Sequence, residues 1–308
     1  GATPGSTDPN DYDLVPGWRL LDFGTNQSVN VSASNTSSIE TLVGGVAAAA
    51  SGGLVAVSGS GGVAIGRNLI GTGEAGAQAT NAYMEDSEGI ATGDIAINAS
   101  ASETIEADVF AGSVAIAVGI GAAVAGAGAE LTNSVSSDVQ AFARNSYLAA
   151  IGDIDVLATS NNQIDKAQSL GVAVAGSLGA ATVAVSLVDN TIANDVDAFI
   201  SSTGAVKQIM ADGDLTILAD VANARIVAAA ETASVSTGLV GLSGGGINIT
   251  NLVSNTVDAG LMGNLIVATV GDIEVKADEN SYLSAEALSI AASFSLGAAV
   301  GASVVSNT

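Results

Sequence analysis

One pattern, Gly-Asp-(Ile/Leu)-x-(Ile/Val)-x-Ala, begins at Gly93, Gly152, Gly213 and Gly271, so its copies lie 59, 61 and 58 residues apart. A motif that returns at a nearly fixed interval confines the chain to architectures in which one structural unit is laid against the next. Other features keep the same order within the interval. Small-apolar runs stand at 43–66, 111–129, 169–188, 232–249 and 285–305, and Asn-containing steps follow: "LTNS" at 131–134, "LVDNT" at 187–191, "LVSNT" at 252–256 and "VVSNT" at 304–308. Next come "SSDVQAF" at 136–142, "ANDVDAF" at 193–199 and a shorter "TVDAG" at 256–260. About five units fit residues 38–308, the last of them incomplete. Residues 1–37 hold Trp18 and all three prolines (Pro4, Pro9 and Pro16), do not match the unit, and read as a leader or as a cap over an exposed sheet edge.

The run "SLGVAVAGSLGAATVAVSLV" at 169–188 has no charge over twenty residues, the length of a bilayer-spanning helix. Its periodicity is wrong for one. Val172 and Val174, then Val183, Val185 and Leu187, alternate with small residues, which is the two-residue repeat of a strand. The runs also lack the Lys/Arg flanks and Trp/Tyr belts of membrane spans. Each is therefore predicted to be a pair of buried strands joined at a glycine, such as Gly176 or Gly179. Tandem strand units with a Gly/Ala/Val interior predict an all-β fold: a repetitive β-solenoid (β-helix-like) rod of ~60-residue units, each coil covering its neighbour. Small side chains suit a flattened coil, whose opposite walls approach closely. With coils of about twenty residues a unit would hold about three, giving a rod on the order of 70 Å long at ~4.8 Å per coil. Stacked antiparallel hairpins are the alternative, because alternation carries no information on strand direction.

Charge narrows function. Seven Lys+Arg against 31 Asp+Glu give a formal net charge of -24, a field that repels phosphate backbones and anionic membranes. Aromatic residues make up only 3%, so the stacking platforms of single-strand binders are missing as well, and nucleic-acid binding is excluded. The chain has neither cysteine nor histidine, which removes disulfide frameworks, thiolate metal sites and the commonest general base. "GIGAAV" from Gly119 imitates part of a dinucleotide fingerprint, but it sits inside a strand repeat, and no Gly-Lys-Ser/Thr phosphate loop occurs.

Four groups of residues are candidates for chemistry. In "DPNDYD", Asp8, Asn10, Asp11 and Asp13 place hard oxygen donors at near-alternate positions, as in a loop that wraps calcium. The turn glycine and twelfth-position glutamate of an EF-hand are absent, and a flexible acidic arm is the competing reading. The second group, Asp94, Asp153, Asp214 and Asp272 of the Gly-Asp repeats, reads first as a series of turns and secondarily as a calcium-binding edge. Asp195 and Asp197, with Asp138 and Asp258 at related positions, form the third group and have the composition of a glycosidase carboxylate pair. Their recurrence between units argues for a structural role. Asn26, Asn30, Asn35, Asn98 and Asn248 head glycosylation sequons.

Joined to "ADGDLTILA", the alternation of "GVAVAGSLGAATVAVSLVDNTIANDVDAFI" resembles the β-strand repeats of giant bacterial surface proteins, the filamentous haemagglutinin and leukotoxin-type adhesins. The resemblance covers about 270 residues and is one of composition and period; no catalytic or binding motif comes with it. It implies an extracellular or cell-surface location and a non-enzymatic, adhesive or filament-forming role. Self-association is the expected partnership, surface glycans are a second one, and no cofactor is expected to be required, calcium being an optional ligand of the acidic positions. The alternative is a carboxylate-dependent polysaccharide-active enzyme or a glycan-binding module on the same scaffold. "VVSNT" at the end matches a point partway through a unit, so the last strand edge is expected to be completed by another chain, unless the sequence continues beyond it.

Overall fold

Residues 27–71, 76–294 and 296–308 are described by a computed structural model. The two-residue alternation runs through almost all of them, and they accordingly form strands. In chain order these are β1 (Val29–Ile70), β2 (Gln78–Glu85), β3 (Glu88–Ala91), β4 (Ile95–Arg144), β5 (Tyr147–Ala150), β6 (Ile154–Gly176), β7 (Gly179–Ala211), β8 (Leu215–Thr237), β9 (Val240–Thr269), β10 (Ile273–Phe294) and β11 (Ala298–Asn307). The described residues contain no helix, and so none that could cross a membrane. The corner Ser177–Leu178 falls between Gly176 and Gly179, the two glycines marked by the sequence as the joint of a strand pair.

Every strand pairing among the described residues is parallel, which corrects the antiparallel-hairpin alternative. Val29 pairs with Ile95, Ile95 with Ile154, Ile154 with Leu215 and Leu215 with Ile273. A residue thus meets its counterpart one whole unit later, and the strands form five layers, at 27–91, 95–150, 154–211, 215–269 and 273–307. The twenty-residue coil is therefore corrected to one of about sixty. Five layers at ~4.8 Å stand only about 24 Å high, whereas a fully extended wall of the 24-residue length of 95–118 would reach about 80 Å. The body is wider than it is tall. Val29–Ser37, assigned by sequence to the leading segment, pair with Ile95–Glu103 and belong to the first layer.

Each layer folds back on itself as two walls. In the third, Asn162 Nδ2 of β6 donates to Asn194 Oδ1 of β7 at 2.6 Å, and Ser186 Oγ donates to the Ser169 carbonyl at 2.8 Å. Glycine permits this approach: a Cβ on Gly171 would lie 2.9 Å from the Val185 carbonyl oxygen, and one on Gly45 would lie 2.3 Å from that of Val63. Inward side chains stack by type from layer to layer. One column is Ile39, Ile105, Ile164, Ile226 and Leu283; another is Ala33, Ala99, Ala158, Ala219 and Ala277. The three middle isoleucines of the first column are fully buried. This small-residue interior removes apolar area from water at ~25 cal/mol per Å² while keeping the walls close.

Candidate functional site

The Gly-Asp motif stands between each layer and the next, at four places in the five-layer stack. Asp94 Oδ1 accepts the Asp153 N–H at 3.0 Å, Asp153 Oδ1 accepts that of Asp214 at 2.8 Å, and Asp214 Oδ1 accepts that of Asp272 at 2.8 Å. Each carboxylate occupies the space above the next glycine; an added Cβ would lie 1.9 Å from Asp94 Oδ1 at Gly152 and 2.1 Å from Asp153 Oδ1 at Gly213. The pairing of glycine with aspartate is a steric and hydrogen-bonding requirement of the stack. Among the described residues no group of three or more Asp, Glu, His or Cys side chains is arranged to hold a metal ion. Asp8, Asn10, Asp11 and Asp13 lie outside the described residues.

A second surface is built where "SSDVQAF", "ANDVDAF" and "TVDAG" come into register. Asp138 pairs with Asp195, Gln140 with Asp197, and Asp197 in turn with Asp258. All four acids of the third candidate group are thus gathered on one outward face. Two residues further along, Tyr83, Phe142 and Phe199 stack in a ladder with ring centroids 5.0 Å apart and interplanar angles of 7° and 4°. In the fourth layer the corresponding residue is Gly260, so the ladder stops beneath Phe199. Asp197, Phe199, Asp258, Gly260 and Met262 line a groove of about 620 Å³ there. Partial burial, helped by the charges of Asp195, Asp258 and Asp138, pushes the Asp197 carboxyl up to about 6. Burial raises Asp195 as well, aided by Asp138 and Asp258. None of the four ion pairs among the described residues involves these acids.

No family model, curated protein or solved structure matches the chain.

The ladder escapes sequence reading because its rings lie 59 and 57 residues apart in a chain with 3% aromatics, and only the 60-residue register brings them together. A third feature was legible in principle. Glu103 shares strand parity with Ile97 and Ile105, so alternation points it inward, and it is fully buried. Its Oε1 accepts Asn35 Nδ2 at 3.0 Å, its backbone N–H donates to Asn162 Oδ1 at 3.1 Å, and Oε2 has no partner. Burial raises this carboxyl to about 7, the bond from Asn35 offsetting part of the rise. With its Nδ2 turned inward to Glu103, Asn35 does not present its amide for glycosylation.

Proposed function

We propose that the chain is a segment of an extracellular, non-enzymatic β-solenoid, with one flattened coil per unit, that serves a surface adhesin or filament as a stiff, acidic scaffold. The observation that carries this reading is the side-chain ladder through all five layers. Asn68 Nδ2 donates to Asn133 Oδ1 at 2.8 Å, Asn133 to Asn190 at 2.9 Å, Asn190 to Asn251 at 2.8 Å and Asn251 to Asn307 at 2.9 Å. Chemistry repeated identically in every layer supports a mechanical role, because an enzyme normally needs one site. Continuous parallel pairing combined with amide ladders resists local opening, as it does in other cross-strand stacks.

Self-association is supported by how charge is distributed. Residues 41–66, 109–129, 167–188, 232–257 and 287–308 carry no charge, and they form the folded-back half of each layer. Large aliphatic residues stand exposed at its tip, including Leu54 at 91% and Leu296 at 85%. An uncharged apolar rim on a chain of charge -24 is a surface on which copies meet without charge repulsion at the contact. Negative-stain micrographs are expected to show stacked or bundled bodies whose abundance grows with concentration. Isolated compact particles at every concentration would rule the scaffold reading out.

A further inference from the structure

The geometry points to a binding site for an organic cation, specifically the guanidinium of an arginine-bearing peptide, in the groove beneath Phe199. The chain already uses the required combination twice. Arg144 bonds Glu85 at 3.0 Å while its guanidinium carbon lies 4.7 Å from the Phe142 ring centroid and 5.8 Å from that of Phe199. Arg225 is paired with Asp165 and lies 5.8 Å from the Tyr282 centroid. In both places a guanidinium sits against an aromatic ring and beside a carboxylate.

The groove beneath Phe199 offers a ring and two carboxylates; the neighbouring guanidinium, that of Arg144, lies 5.8 Å from the ring centroid and is paired with Glu85 instead. The aromatic column ends at Gly260, where a Cβ would meet nothing closer than Met262 Cγ at 3.8 Å, so one ring-sized place in the stack is unfilled by the backbone. Asp197 and Asp258 flank this place on one side and Met262 on the other. No ion pair among the described residues reaches either acid. A planar cation fits these constraints: it stacks on the ring face, its N–H groups donate to the carboxylates, and the overall field of the chain draws it in. Guanidinium is favoured over ammonium because it is planar, forked and less strongly hydrated. A neutral sugar would use the ring face but would leave two adjacent carboxylates uncompensated.

The test titrates the full chain, at physiological salt, with an acetylated Arg-Gly-Arg amide and with matched peptides carrying lysine or citrulline, following binding by calorimetry. A neutral oligosaccharide serves as a fourth probe. The arginine peptide is expected to bind about tenfold more tightly than the lysine peptide, and the citrulline peptide and sugar not measurably. Phe199→Ala, which leaves the charge unchanged, and Asp258→Asn should each weaken binding by about tenfold. Asp272→Asn removes the same charge elsewhere and should change affinity less than twofold. Gly260→Phe fills the place with a ring; it should abolish binding while leaving the melting temperature unchanged or higher, so loss of binding is separable from loss of fold. Equal affinity for arginine and lysine, indifference to Phe199→Ala and Gly260→Phe, or tighter binding of the sugar would each overturn the proposal.

Discussion

Glu103 shows how one residue sets the response of the molecule to pH. Its carboxyl sits at about 7 in the folded protein against 4.5 ordinarily, so the folded state holds the proton more tightly than the unfolded one. The stability contributed by this group is therefore fully present below about pH 4.5, falls as pH rises, and is lost above about pH 7; the loss is on the order of 3 kcal/mol. Glu103→Gln keeps the amide-sized shape and removes the charge. Urea unfolding should show the variant more stable than its parent by about 2–3 kcal/mol at pH 8 and within ~1 kcal/mol of it at pH 4. An equal gain at both values would mean that packing, and not ionisation, is responsible. Asp155, Asp195, Asp197 and Asp220 are raised in the same direction, so the variant should retain a shallower decline with pH. Glycines divide just as sharply by position. Gly213→Ala would place a Cβ 2.1 Å from Asp153 Oδ1 and push that carboxylate off the Asp214 N–H, costing roughly 1–3 kcal/mol. Gly126→Ala has nothing within 4 Å to meet and should be neutral or stabilising in the same melt.

At the scale of elements the ladders explain which parts of the fold the sequence discloses. Strand type, the corner at 177–178 and the register of "SSDVQAF" on "ANDVDAF" are legible, because alternation and repeated residue types are local signals. Coil length is not, since a sixty-residue period is compatible with one turn of chain or with three. The choice depends on how closely the walls approach, and that is settled by pairs such as Gly45 with Val63 and Ser169 with Ser186. The asparagine ladder is half-legible for a related reason. Sequence spacing selects "LVSNT" at 252–256 as the third of the four Asn-containing steps, whereas Asn251 is the residue that pairs with Asn190; Asn255 lies in register with Asn194 instead. Two asparagines four residues apart have the same parity, so alternation cannot choose between them, and the amide geometry does. Asn190 accepts from Asn133 and donates to Asn251, and its loss strands both partners in the interior. Asn190→Ala is expected to destabilise by about 2–4 kcal/mol in denaturant melts. Asn307, exposed and holding a single ladder bond, should cost less than ~1 kcal/mol when changed to alanine. Comparable losses at the two positions would show that the ladder is not a cooperative stack.

The described residues form a wide, shallow stack with their charges on one half and a bare aliphatic rim on the other, and that asymmetry predicts how copies associate. Two mechanisms compete. If the acidic faces meet through bridging divalent cations, association needs calcium, vanishes with chelator and weakens as added salt screens the bridges. If the rims meet, association is independent of chelator and strengthens with salt, because screening a charge of -24 lowers the repulsion while apolar burial is undiminished. The rim is the better candidate, since Leu178, Leu239 and Leu296 follow one another up the corner column, the Leu239 N–H donating to the Leu178 carbonyl and the Leu296 N–H to that of Leu239. Burying this column would recover apolar surface that folding leaves in water. The double change Leu178→Gln with Leu239→Gln alters neither net charge nor any inward position, so the fold should persist with an unchanged circular dichroism spectrum. In sedimentation velocity the parent should shift to larger species between 50 mM and 500 mM sodium chloride, with or without chelator, at roughly the range over which the screening length shrinks from about 14 Å to about 4 Å. The double variant should stay monomeric throughout. Association that survives the leucine changes but not the chelator would assign the contact to the acidic faces and leave the rim to a different partner.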